Sequence, residues 1–138
     1  MNVNELELME AWDEMDPPMR TRVAFPLHAE AGTKSSAVVY FEIEPGDHLG
    51  THTDSAEEIL LVIGGTGDAI VGGECVELAP GSLAVVPQLV PHSVHNTGET
   101  TLKVVGFFAA SELEHVFDEP VQPMGLTVMH TPMVEVPA

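Results

Sequence analysis

From Pro45 to Gly65 the chain reads PGDHLGTHTDSAEEILLVIGG, which places two histidines and three carboxylates within the eleven residues from His48 to Glu58 before turning wholly apolar. Imidazoles and carboxylates gathered in this way suit a metal ion. His52 and Asp54 are two apart, so on an extended strand both side chains leave the same face. Glu58 opens the run ILLVI, and a tight turn through Ser55, Ala56 and Glu57 would fold it back beside them. A lone His-x-Asp is more often part of a polar hairpin loop, so the weight of this one depends on what the rest of the chain sets against it.

Moving outward, the texture is β throughout. AVVYFEI, ILLVI, DAIVGG, ECVEL, SLAVVP and TLKVVGFF are short, β-branched runs punctuated by PG, GGTG, GG and NTGET, a spacing typical of a sandwich or barrel. Val39, Phe41 and Ile43 alternate with Tyr40, Glu42 and Glu44, giving one apolar and one mixed face. A second polar cluster, PGSLAVVPQLVPHSVHN from Pro80 to Asn96, again opens on a Pro-Gly turn. There His92 and Val94 share a face by parity, and His95 points the other way.

The flanks read differently. Over residues 4–15, Asn4 and Glu7 form a capping pair and Leu8, Trp12 and Met15 form a stripe, which predicts a short amphipathic helix ended by Pro17 and Pro18. The segment ASELEHVFDEP suggests a helical turn, and the Pro-rich tail beyond it an extended arm. The expected organisation is an acidic helical segment over 1–18, a single barrel over 19–120 and an arm over 121–138.

Together the two clusters resemble the motifs of the cupin superfamily, small double-stranded β-helix barrels of the jelly-roll kind. The first motif is matched by Gly46, five residues, His52-Thr53-Asp54, three residues, Glu58, six residues and Gly65. The second is matched by Gly81, five residues, Pro87-Gln88-Leu89, two residues, His92, three residues and Asn96. The resemblance implies an all-β cupin barrel and carries His52, Glu58 and His92 over as metal ligands.

Two positions depart from the pattern: Asp54 replaces the second histidine, and Leu89 stands where a turn glycine is usual. Three ligand sets follow. Asp54 joins the other three as a fourth ligand; or it stands behind a two-His-one-carboxylate set; or His48 swings in as a third imidazole. The expected cofactor is one divalent metal ion per chain, with Fe or Mn favoured by the carboxylates and Zn, Ni, Cu or Co as alternatives.

Composition narrows the function. The 138 residues hold 22 Asp and Glu against 4 Lys and Arg, a formal net charge of −18. Nucleic acid and anionic membrane are therefore poor partners, since phosphate binding needs clustered cations. The four basic residues, Arg20, Arg22, Lys34 and Lys103, lie outside both motifs, which disfavours phosphorylated or multiply anionic substrates. The single Cys75 can form no internal disulfide and is expected to be packed. The acidic N-terminus is unlike a secretory leader, and no apolar run reaches the roughly 20 residues of a membrane span; a cytoplasmic location is expected.

The expected function is a metal-dependent small-molecule oxidoreductase of the small quercetinase-like, dioxygenase kind, with Glu58 as both ligand and proton acceptor. A non-catalytic ligand-binding or sensory module with a structural metal, or a non-redox lyase or isomerase, is the alternative. A homodimer with exchanged N-terminal segments is expected from the flanks. The acidity suits concentrated salt, where screening over about 3 Å at 1 M relieves self-repulsion. Urea unfolding midpoints should accordingly rise from low to molar salt, and flat midpoints would remove that explanation.

Overall fold

The computed structural model describes residues 1–133. Strands β1 (Met9–Asp13), β2 (Asp16–Leu27), β3 (Ala37–Ile43), β4 (His48–Asp54), β5 (Glu58–Gly64) and β6 (Gly67–Val71) are followed by β7 (Glu74–Leu78), β8 (Leu83–Val86), β9 (His92–Asn96), β10 (Leu102–Phe108), β11 (Leu113–Val121) and β12 (Leu126–Thr131). Hydrogen bonding orders them as β1-β2-β3-β10-β5-β8 in one sheet. The other runs β7-β6-β9-β4-β11-β12. A single parallel bridge, Met19 to His48, joins the two. This is the jelly roll the β texture predicts, and each apolar run read from the sequence supplies the body of a strand.

Alternation decides what faces inward. On β5, Glu58, Leu60 and Val62 are buried while Ile59 and Ile63 are exposed; on β3, Val39, Phe41 and Ile43 face the same core. Leu60, Val62, Val94, Leu102 and Val104 are almost wholly buried, each contributing about 1.5–3 kcal/mol by leaving water. Asn96, the last residue of the second motif, is a structural clamp. Its amide donates to the carbonyls of Ile43 and Thr100, and its oxygen accepts from the Gly98 N–H.

The N-terminal helix does not form. Only a 3-10 turn at Val3–Glu5 is present, and Met9–Asp13 is a strand paired with β2. Asp13 closes the tight β1–β2 connection by accepting from the Met15 N–H at 2.8 Å, and Met15 is 89% exposed rather than part of a packed stripe. A helix this short has little stability of its own, and the paired backbone of a neighbouring strand displaces it. Trp12 also bridges to Gln122 through its backbone, tying the first strand to the end of β11. ASELEHVFDEP is likewise strand rather than helical turn. The C-terminal segment is extended as far as Thr131, paired back onto β11; the rest of the expected arm, residues 134–138, lies outside the described residues. Cys75 is exposed, not packed.

Leu89 takes up the backbone of the turn glycine it replaces, with φ of 61°, while its N–H donates to the Asp54 carbonyl at 3.0 Å. A left-handed conformation costs a branched residue roughly 1–2 kcal/mol. The side chain is 62% exposed, so little packing offsets that cost. Leu89→Gly is expected to stabilise the protein by about 0.5–1 kcal/mol after the greater freedom of unfolded glycine is subtracted. An unchanged or lower urea midpoint would contradict this.

Candidate metal centre

Strand β4 carries the centre, with β9 on one side and β11 on the other. His52 lies opposite His92 of β9 and Phe117 of β11, and Asp54 lies opposite His115. The His52 ring sits 4.1 Å from that of His92 and stacks on Phe117 at 4.5 Å. Glu58 reaches the same space from the opposite sheet, at the start of β5. One ligand atom each from His52, Asp54 and His92 lies within 4.8 Å of the others, and all three residues are buried.

Both histidines are oriented by the backbone. His52 Nδ1 faces the Gly50 carbonyl at 2.8 Å and His92 Nδ1 the Val90 carbonyl at 3.0 Å. A carbonyl can only accept, so each Nδ1 carries a proton, and in the neutral ring each Nε2 presents a lone pair. His92 Nε2 stands 3.1 Å from Asp54 Oδ2, and His52 Nε2 stands 3.7 Å from the same oxygen. Among the described residues, neither Asp54 Oδ2 nor His92 Nε2 has a hydrogen-bond partner. Acceptors facing one another in a buried space call for a cation or a proton between them, and two imidazoles with a carboxylate are a donor set that fits a divalent ion.

Electrostatics agree with that fit. Burial lowers the His52 pKa to about 4 against the opposing pull of Asp54, which keeps the ring neutral and its lone pair free. Burial alone would raise Asp54, but the hydrogen bond from His115, with His92 and His52 close by, holds it below the usual carboxylate range. Glu58 goes the other way, pushed well above its ordinary value by burial and by the charge on Asp54. Its Oε1 is 3.7 Å from His92 Nε2, and its other oxygen lies against the bare Cα of Gly106. A Cβ there would overlap that oxygen and also meet Val39 Cγ1 at 2.6 Å.

Among the sequence candidates, His52, Asp54 and His92 come together, with Glu58 at their edge. His48 does not join them. The β4–β9 register shifts between Leu49 and His52, so Leu49 lines the cavity. His48 instead contacts Asp16 at 3.0 Å and stacks on His95 at 5.1 Å. One buried histidine escaped the motif reading. His115 holds Asp54 Oδ1 at 2.6 Å and Thr131 Oγ1 at 2.8 Å. The alternation of Leu113, His115 and Phe117 with Glu114, Val116 and Asp118 was the signal that could have found it.

The cluster forms the floor of a cavity of about 600 Å³. Its walls include Phe41, Leu60, Val94 and Phe108, and five of the seven methionines, Met9, Met19, Met124, Met129 and Met133, also line it. No lysine or arginine does so.

The family model for the cupin domain matches residues 39–108, just over half of the chain. The chain is a cupin. No curated protein matches it in sequence. In shape this cupin is similar to a predicted oxalate decarboxylase from Thermotoga maritima, at 22% identity over 79% of this chain and 96% of that one with a TM-score of 0.66. It is also similar to the polyketide cyclase RemF from Streptomyces resistomycificus, at 16% identity over 78% and 76% of the two chains with a TM-score of 0.63. A third similar structure is a salicylate 1,2-dioxygenase from Pseudaminobacter salicylatoxidans, at 21% identity over 64% of this chain and 26% of that one with a TM-score of 0.56. At such identities the likeness is one of fold. No helix among the described residues is long and apolar enough to cross a membrane.

Proposed function

We propose that this cupin holds one divalent metal ion, Fe or Mn by preference, at His52, Asp54, Glu58 and His92. We read it as a metal-dependent oxidoreductase of the dioxygenase kind acting on an uncharged, apolar or aromatic small molecule. The observation that carries the reading is the pair of unpartnered atoms, Asp54 Oδ2 and His92 Nε2, at the floor of an apolar cavity. An ion there supplies Lewis acidity and a redox couple. The chain's own residues do the rest. Phe41, Leu60, Val94 and Phe108 exclude water and bind an apolar substrate, and the cation-free lining leaves a phosphate or carboxylate unpaired. Glu58 is assigned to take up the proton the substrate loses.

The test is elemental analysis after purification without chelator, followed by oxygen uptake with Fe- or Mn-loaded protein and a panel of flavonols, catechols and diketones. No metal, found or taken up, defeats the metal centre. Metal with uniform silence on the panel points to a ligand-binding module or a non-redox lyase.

Glu58 gives a pH-dependent signature. Its raised pKa means that the metal-free protein keeps a proton on Glu58 above the ordinary glutamate value of 4.5. An arriving cation favours the ionised form. Metal uptake at mildly acidic pH is therefore expected to release about one proton, read by calorimetry in buffers of different ionisation enthalpy. Glu58→Gln should lose this release, and an identical count in that variant would remove Glu58 from the set.

We also propose a homodimer. β8 ends its sheet, and Ile59, Leu83, Val85 and Phe107 are exposed on and beside it, an apolar patch of the kind that interfaces cover. A monomeric mass by light scattering at working salt would refute this.

A further inference from the structure

The most unusual residue of the centre is Asp54, an aspartate where the cupin pattern carries a histidine, and its two oxygens live in different surroundings. Oδ1 is bonded to His115 Nδ1 at 2.6 Å. Oδ2 points between His52 and His92 without a partner. His115 is bonded at both ring nitrogens, since Nε2 meets Thr131 Oγ1 at 2.8 Å. Asp54 accepts, so His115 Nδ1 carries a proton, and in the neutral ring Nε2 accepts from the Thr131 hydroxyl. With that ring neutral the chain runs from the Thr131 O–H through His115 to Asp54, and all three residues are buried. Thr131 is the last residue of β12, so this line of bonds runs from the C-terminal hairpin to the floor of the cavity.

We propose that His115 is a positioning residue of the metal centre: it occupies one oxygen of Asp54 so that only Oδ2 is offered to the ion, and it makes the seating of the C-terminal hairpin, through Thr131, a condition of that offer. The proposal rests on the metal-binding reading above. It accounts for how aspartate serves at a histidine position. A histidine presents a single inward nitrogen once its other nitrogen is bonded, and Asp54 with Oδ1 held presents a single inward oxygen. A purely structural His115 would fill space between the rings of Phe25 and Phe108, whose centroids lie 5.3 and 5.7 Å away. An apolar side chain would serve that purpose as well.

The two roles separate in three variants of the full chain, His115→Leu, His115→Asn and Thr131→Val, each checked for folding by circular dichroism. The measurements are Mn(II) affinity, the visible absorption spectrum of bound Co(II), and the urea midpoint of the metal-free protein. His115→Leu is expected to weaken Mn(II) binding about 10–100-fold, the usual effect of losing a group that orients a ligand. Its Co(II) spectrum should also change as the freed carboxylate turns. His115→Asn keeps an N–H close to the position of Nδ1, so it should retain affinity within a few-fold although it packs less well than leucine. Thr131→Val, close in shape, leaves the buried His115 Nε2 without its partner, so it should lower the midpoint and also weaken binding several-fold, whereas His115→Leu should lose far more affinity for a comparable or smaller loss of midpoint. The proposal is overturned if His115→Leu binds Mn(II) like the unaltered protein with the same Co(II) spectrum, or if affinity simply follows the urea midpoint across the three variants. If the unaltered protein binds neither ion, the metal reading falls and takes this proposal with it, an outcome distinct from the other two.

Discussion

Saturating Mn(II) or Fe(II) is expected to raise the melting temperature of the metal-free protein by about 10 °C, and His92→Ala is expected to abolish that rise. A ligand at 100 times its dissociation constant that binds only the folded state stabilises it by about 2.7 kcal/mol. For a chain of 138 residues, each kcal/mol moves the midpoint by roughly 3–4 °C. The source of the effect is the floor of the cavity, where His92 Nε2 and Asp54 Oδ2 face each other at 3.1 Å with no hydrogen-bond partner. Leaving a buried polar atom unsatisfied costs about 1–3 kcal/mol, which a bound cation relieves. In His92→Ala the facing pair is gone. The ion loses a nitrogen ligand, while the metal-free protein loses an unsatisfied atom along with some packing. Thermal scans of both proteins, chelated and then metal-saturated, provide the comparison. An equal rise in the variant would mean that the ion binds somewhere else.

The second large effect is purely structural. Gly65→Ala is expected to destabilise the fold by about 2–5 kcal/mol, combining a left-handed backbone with a clash that nothing nearby can yield to. Gly65 has φ of 77°, and a Cβ there would overlap the Thr101 carbonyl oxygen and lie 2.8 Å from the Leu102 Cα. Both obstacles are backbone, and Leu102 is fully buried. Gly73 offers the control, because its φ is 86° but nothing lies within 4 Å of its would-be Cβ. Gly73→Ala should therefore cost only the conformational part, roughly 1–2 kcal/mol. Equal urea midpoints for the two variants would show that the clash at Gly65 relaxes away.

Gly65 also illustrates what could be read in advance. The first motif ends on this glycine because the strand end and the residues before β10 pass too closely for a side chain, and such constraints leave their mark at fixed spacing. The same holds for Asn96, whose three hydrogen bonds tie a turn to β3, and for the β runs, whose alternation states which face is buried. His52, Asp54 and His92 were legible because each sits on a strand within a patterned spacing.

Other features depended on tertiary partners that spacing does not encode. The stripe of Leu8, Trp12 and Met15 has a genuine helical period, yet β2 offers a paired backbone and prevails. His48 is placed by a register shift in β4 that no local pattern marks. His115 lies well beyond the second motif, in a segment that reads as a helical turn before Pro120, and its meeting with Asp54 follows from the β11–β4 pairing across 61 residues.

The cavity has two origins in the chain. Its floor residues, His52, Asp54, Glu58 and His92, lie within the stretch matched by the family model, residues 39–108. The five methionines of its wall, with Phe117 and Leu126, lie outside that stretch. Methionine adapts its shape readily to what it touches, so the wall contributed from outside the matched stretch is soft, while residues 39–108 supply both the candidate ligands and the stiffer wall of Phe41, Leu60, Val94 and Phe108. Exchanging the terminal strands would reshape this wall with His52, Asp54, Glu58 and His92 left in place. His115 sets the boundary of such grafts, because among the described residues it is the terminal-strand side chain hydrogen-bonded to Asp54.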